Sequence, residues 1–231
     1  MESQKITNSG LGKSRRWYPD ACGTALAMEL VGERWALLIV RELLLGPRRF
    51  SELRTGLPGL SANILTQRLE GMEASGILRK RTLPSPANAQ VYELTKWGQK
   101  LEDSIFALSR WAAGSPAHDV TLGLSNTAFM LSLRVMIDPE AARDFTAGLG
   151  FRVGGDTFRA RVEDGRLEIE RADPNGAELI FEGEPLALAS VFYGPDPLAE
   201  SERLGKVRVI GDPALGQRFV DLFGLPAFEN D

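Results

Sequence analysis

The spacing of apolar side chains changes along this chain. Through residues 22–113 most of them recur every three or four positions, the period of a helix with one buried face. After Gly150 they recur every second position, the period of a half-buried strand. The first pattern predicts a short helix over 22–30 and another over 33–45, with Trp35, Leu38, Ile39 and Leu43 as its buried stripe and Gly46-Pro47 as its stop. A short helix over 50–54 precedes the breakers Gly56, Pro58 and Gly59. A longer helix then opens at Ser61, whose side-chain oxygen can cap the first free N–H groups, and ends at Gly76. Leu65, Leu69 and Met72 share its buried face. At about 100° per residue Asn63 and Gln67 fall on the opposite face, with Thr66 beside them. Segments 77–82 and 91–94 read as short strands joined by a polar loop with two prolines. Thr95 caps a helix to about residue 113, with the stripe Trp97, Leu101, Ile105, Leu108 and Ala112. That stripe suits either a partner chain or packing within its own subunit.

The second half begins after a linker over 114–119. Helices are expected over 125–137, in the run DPEAARDF, over 186–193 and over 213–223. Phe158, Ala160 and Val162 alternate, Asp164-Gly165 turns the chain, and Leu167 and Ile169 resume the alternation. Gly154-Gly155 and Asn175-Gly176 mark two more turns, Leu179 and Phe181 lie on a further strand, and 207–210 forms the last strand. The turns link about four antiparallel strands. The expected class is α+β: a winged helix-turn-helix domain over 15–114, then an α+β domain over 120–228 whose antiparallel sheet is packed by helices.

Composition is that of an ordinary globular chain, 43% hydrophobic and 25% charged over 231 residues, long enough for two modest cores. Charge changes the picture more. The net charge of −4 divides into +5 for residues 1–115 and −9 for the remainder, so the basic surface belongs to the helix-turn-helix half. Arg48, Arg49 and Arg54 lie around its first helix, Arg68 flanks the second, and Arg79, Lys80 and Arg81 cluster on the ribbon. Such cations supply phosphate contacts, which dominate affinity without reading sequence. Asn63 and Gln67 are amides able to pair bidentately with adenine, and Ser61 and Thr66 complete the exposed polar set for base reading. Taken alone, the two amides are equally well read as solvated surface. Motif, charge and face together favour double-stranded DNA as the partner.

Residues 17–114 resemble the HxlR-type family of bacterial winged-helix transcription regulators. The resemblance is carried by Cys22, the runs GERWALLIVRELLLGPRRFSELR and GLSANILTQRLEGMEASGIL, the YELT of the second ribbon strand, and Trp111. It implies a homodimer on operator DNA, with the N-terminal segment and the last helix of the domain as the dimer contact. Gly23 stands where the family commonly has proline, and the wing loop LPSPANAQ, with Pro84 and Pro86, has a less basic tip than many. Some members sense electrophiles or oxidants through a cysteine placed as Cys22 is. The alternative is a packed structural thiol, and the chain has no second cysteine to resolve an oxidised one. The pieces FRARVEDGRLEIER, ELIFEGEPLALASVFYG and GKVRVIGDPALGQRFVDLF are similar to a sterol-carrier-protein-like domain over about 131–225. That likeness implies a hydrophobic small-molecule effector, for which Leu186, Leu188, Phe192, Phe219 and Phe223 are lining candidates; a solid core is the other reading.

No catalytic residue, metal site or cofactor is expected. His118, the only histidine, lies in the linker, and Glu200 stands where a phosphate loop ending at Gly205-Lys206 needs its first glycine. No apolar run is long enough to span a membrane and MESQKITNSG lacks the apolar core of a secretory signal, so the expected compartment is the cytoplasm. A DNA-binding regulator, repressing in its simplest form, is therefore set against a hydrophobic-ligand carrier that uses its winged helix only for assembly.

Overall fold

The computed structural model describes residues 18–227. Residues 1–14, which the sequence reads as a polar arm, and Arg15 and Arg16 lie outside them. The first helix, α1 (Gly23–Val31), buries only Val31. Next, α2 (Ala36–Leu43) starts three residues later than the expected residue 33, because Trp35 adopts a left-handed φ of 81°. Ala36, Ile39, Val40, Glu42 and Leu43 are buried on α2, whereas Leu38, expected in the stripe, is exposed. Helices α3 (Phe50–Gly56) and α4 (Ala62–Ala74) follow, and Ser61 Oγ accepts from Ile64 N at 3.3 Å as a cap should. Leu65, Leu69 and Met72 are buried as their spacing requires.

Strands β1 (Leu78–Thr82) and β2 (Gln90–Leu94) pair antiparallel, with Arg79 opposite Glu93 and Lys80 opposite Tyr92. Arg48 adds a third, one-residue strand: its N–H donates to Tyr92 O at 2.9 Å and its carbonyl accepts from Tyr92 N at 2.8 Å. The entrance to α3 is thereby stitched to the wing. The helix expected over 95–113 divides into α5 (Lys96–Gln99) and α6 (Glu102–Ala113). Gly98 lies so close to the Ile77 carbonyl that any Cβ there would collide with it. The chain tightens after it, Leu101 N donating to Gly98 O at 3.1 Å.

In the second half α7 (Asn126–Met136), capped by Ser125, is buried on nearly every side. It packs against α2, α6 and the sheet. One continuous apolar cluster therefore runs from Val31 to Leu222 through both halves. The run DPEAARDF forms turns rather than a helix. Asp138 Oδ1 takes the N–H of Glu140 at 2.9 Å, while Asp138 N is held by Leu222 O at 2.8 Å.

The sheet comprises β3 (Ala147–Val153), β4 (Asp156–Glu163), β5 (Arg166–Glu170), β6 (Leu179–Gly183) and β7 (Val207–Ile210), in the order β5-β4-β3-β6-β7. It is mixed, not antiparallel, because β6 pairs parallel with β3. The Asn175-Gly176 turn does not return the chain beside β5. It belongs to a crossover that reaches β3, where Glu178 N donates to Gly148 O at 2.9 Å and Pro174 fills the space that a side chain on Gly150 would need.

Helices α8 (Pro185–Tyr193), α9 (Leu198–Arg203) and α10 (Pro213–Val220) complete the described chain. Six residues with two buried positions gave α9 no readable period; its Glu202 takes the N–H of Val209 at 2.9 Å on β7. The interior under the sheet is filled. Phe219 sits 4.9 Å from Phe223 and 5.7 Å from both Phe181 and Phe192, centroid to centroid. Leu188, Phe192 and Phe219 are therefore core, and Leu186 is 40% exposed on the outside. The solid-core reading holds for these positions.

Candidate nucleic-acid interface

Helix α4 turns its apolar side into the core and leaves Asn63, Thr66 and Gln67 in solvent. Among the described residues the amides of Asn63 and Gln67 donate to and accept from no other group. The two hydroxyls differ. Ser61 is committed to its cap, and Thr66 Oγ1 donates back to Ala62 O at 3.0 Å along its own helix. Of the four side chains, only the two amides are thus left unengaged.

The cations divide similarly. Arg49, Arg54 and Lys80 are exposed, and none forms an ion pair among the described residues; Lys80 lies 5.7 Å from the Tyr92 ring centre. Arg68 is tied down, reaching Glu33 at 2.6 Å and the Arg34 carbonyl at 3.2 Å, which fixes α4 to the loop before α2. Arg79 and Arg81 share Glu93, each at 2.6 Å. Burial alone would raise the Glu93 carboxyl, but hydrogen bonds and charge from the two arginines hold it below its ordinary value. Glu93 was missed as a partner although its cross-strand position makes it readable.

Arg48 departs furthest from expectation. Its guanidinium grips Asp156 of β4 through both terminal nitrogens, at 2.8 and 3.3 Å, and its side chain is only 12% exposed. Asp156 also holds Arg171 at 3.1 Å and Asn126 at 3.2 Å, and Arg171 donates to the buried Thr127 at 2.6 Å while lying over the Phe158 ring. Close by, the buried Glu42 takes Ser125 at 2.7 Å and its neighbour Arg41 at 2.9 Å. These contacts form a polar seam between the winged helix and the sheet. Burial works against the Asp156 anion, yet the Arg48 hydrogen bonds and the Arg171 charge outweigh it and depress the carboxyl. The stabilisation is therefore in place above the unfolded aspartate value of about 3.9 and is lost only as pH falls through the lower native value.

Cys22 caps α1: its Sγ accepts from Thr24 N at 3.4 Å, and the thiol is exposed. Hydrogen bonds from Thr24, then Ala25, lower its pKa. Alkylation of the folded protein is expected to titrate below the value of about 8.5 seen for a free thiol, and urea-unfolded protein to titrate near it. Identical midpoints, followed by mass spectrometry across a pH series, would rule out an activated thiol.

A cleft of about 820 Å³ lies between Leu44, Leu45, Gln99 and Glu102 of the winged helix and the sheet residues Ala160 and Ile169. No described helix is long and apolar enough to cross a membrane. Among the described residues no group of three His, Cys, Asp or Glu side chains could hold a metal ion.

Two helices, a tight turn, a stitched ribbon and an outward amide pair define a winged helix-turn-helix protein. The HxlR-like helix-turn-helix family matches residues 30–119. The regulator YvaP of Bacillus subtilis (strain 168), described as an uncharacterized HTH-type transcriptional regulator, is 36% identical over 86 residues, which is 37% of this chain and 80% of that protein. The HTH-type transcriptional regulator YodB of the same organism is 34% identical over 86 residues, 37% of this chain and 77% of that protein. The structure of the reduced form of YodB from B. subtilis, at 31% identity, covers 42% of this chain and 98% of that one, with a TM-score of 0.38. This chain belongs to the HxlR-like helix-turn-helix family.

Proposed function

We propose that this protein is a sequence-specific DNA-binding transcriptional regulator acting as a homodimer. In this reading α4 enters the major groove and Asn63 and Gln67 read base edges. Arg49, Arg54 and Lys80, with Arg79 and Arg81 where Glu93 leaves them spare donors, meet phosphates. Residues 15–114 are the DNA-binding and dimerisation unit, and 120–228 a sterol-carrier-like regulatory unit. The observation that carries the reading is the unengaged amide pair on the outer face of a helix whose other face is core.

Exposed apolar side chains support the dimer. Trp111 is 79% exposed on α6 beside exposed Leu108, and α1 leaves Leu26 and Met28 uncovered. A helix with a single buried residue gains most of its stability from whatever packs on its open side. Repression is the simplest mode, since occupying an operator needs only binding. The 820 Å³ cleft between the halves has room for an effector, but Glu102, Arg134, Arg159, Arg161 and Glu168 line it and suit a polar molecule better, and the stacked phenylalanines leave no space for a hydrophobic one.

Selection of bound fragments from the source genome by the full-length protein, at low and raised salt, tests the reading. One site with two-fold symmetry, persisting at raised salt, is expected. Recovery that is unselective and vanishes with salt would mean phosphate attraction without base reading.

A further inference from the structure

We infer that Arg48 is shared between Asp156 and a DNA phosphate, so that docking of the sheet onto the winged helix restrains DNA binding. The inference rests on the DNA-binding reading above and adds an intramolecular competitor to it. Arg48 lies two residues before α3, next to the exposed Arg49, and its backbone is pinned to the wing through Tyr92. In helix-turn-helix proteins the first helix of the motif crosses the phosphate backbone, so a side chain leaving its entrance toward solvent meets phosphate. Here the side chain is turned aside. Asp156 holds it through both terminal guanidinium nitrogens, the fork geometry that an arginine also uses on phosphate.

The exchange is inexpensive because the seam holds a surplus cation. Two arginines converge on the single Asp156 carboxylate, and the Nε–H groups of both Arg48 and Arg171 are buried without an acceptor. When Arg48 swings out, Arg171 and Asn126 still hold Asp156, so no buried anion is stranded. The Arg48 Nε–H meanwhile gains solvent or phosphate oxygen. Because one guanidinium cannot serve both acceptors, the two equilibria are linked in both directions: withdrawing the β3–β4 hairpin strengthens DNA binding, and bound DNA loosens the hairpin.

The test uses full-length protein, a duplex selected by the wild type, and fluorescence anisotropy over a salt series. Asp156→Asn should tighten binding roughly three- to tenfold at moderate salt and steepen the log affinity–log salt slope by about 0.9 per subunit. Adding Arg48→Gln should remove both gains. Arg48→Gln alone should stay within about twofold of wild type, and Asp156→Glu should behave as wild type. An unchanged slope in Asp156→Asn overturns the inference, as does an Arg48→Gln loss as large as that of Arg49→Gln, which would place Arg48 on phosphate already. If the wild type selects no duplex, the DNA-binding reading itself fails and this inference with it. Should Asp156→Asn not fold, hydrogen exchange on the wild type decides: saturating duplex should speed exchange of the 154–157 amides, and unchanged exchange overturns the inference.

Discussion

Replacing Asn63 and Gln67 together by alanine is expected to erase discrimination between the selected operator and random duplex while leaving non-specific binding intact. Each bidentate amide–adenine pair contributes about 1–3 kcal/mol of discrimination. The residues are four apart on one helix, about 6 Å along its axis, so both can reach neighbouring base steps from a single docking position. Neither side chain is engaged by another described group, and neither lies in the core, so the folded state should hardly notice their loss. Thermal midpoints should thus match the wild type, and the salt slope should not move, because no phosphate contact is removed. Competition binding with operator and random duplex separates the two terms. A double variant that keeps its preference for the operator would show that reading is done elsewhere, by the wing or by DNA shape.

What was legible in the sequence was what is local. The cap at Ser61, the spacing of Leu65, Leu69 and Met72, and the stop at Gly76 all act within one helix, so periodicity and capping rules recover α4 and the side it exposes. Ser61 and Thr66 looked equivalent to the amides because composition shows a hydroxyl but not that it is already bonded to its own helix. The division of the cations was less legible still. Glu93 lies across the ribbon from Arg79, a pairing that strand register could have exposed, whereas Arg48 and Asp156 are separated by 108 residues and meet only because α7 docks both halves. The parallel placement of β6 escaped for the same reason: an Asn-Gly turn reads as a hairpin unless the crossover that contains it is seen.

Phe219→Ala should cost about 3–5 kcal/mol in urea unfolding, the range for truncating a fully buried phenylalanine. Phe219 is wholly buried and touches the rings of Phe145, Phe181, Phe192 and Phe223, so its removal leaves a cavity walled by side chains that cannot all collapse inward. Were the space under the sheet a ligand chamber, the same truncation would cost under about 1 kcal/mol, since part of the ring would already face a void. The position of the loss is as informative as its size. All four tryptophans precede residue 115, so indole fluorescence reports the winged helix alone, while far-ultraviolet dichroism reports the whole chain. Phe192 packs against Phe219 and against Phe129 of α7, and α7 also packs on α2. A continuous core of this kind should unfold as one unit, so both signals should shift to the same lower urea midpoint. A fluorescence midpoint that stays at the wild-type value while dichroism shifts would show that the winged helix folds independently of the sheet. The seam through Arg48, Asp156 and Arg171 would then be a contact between separately stable units, and DNA binding could open it without unfolding either.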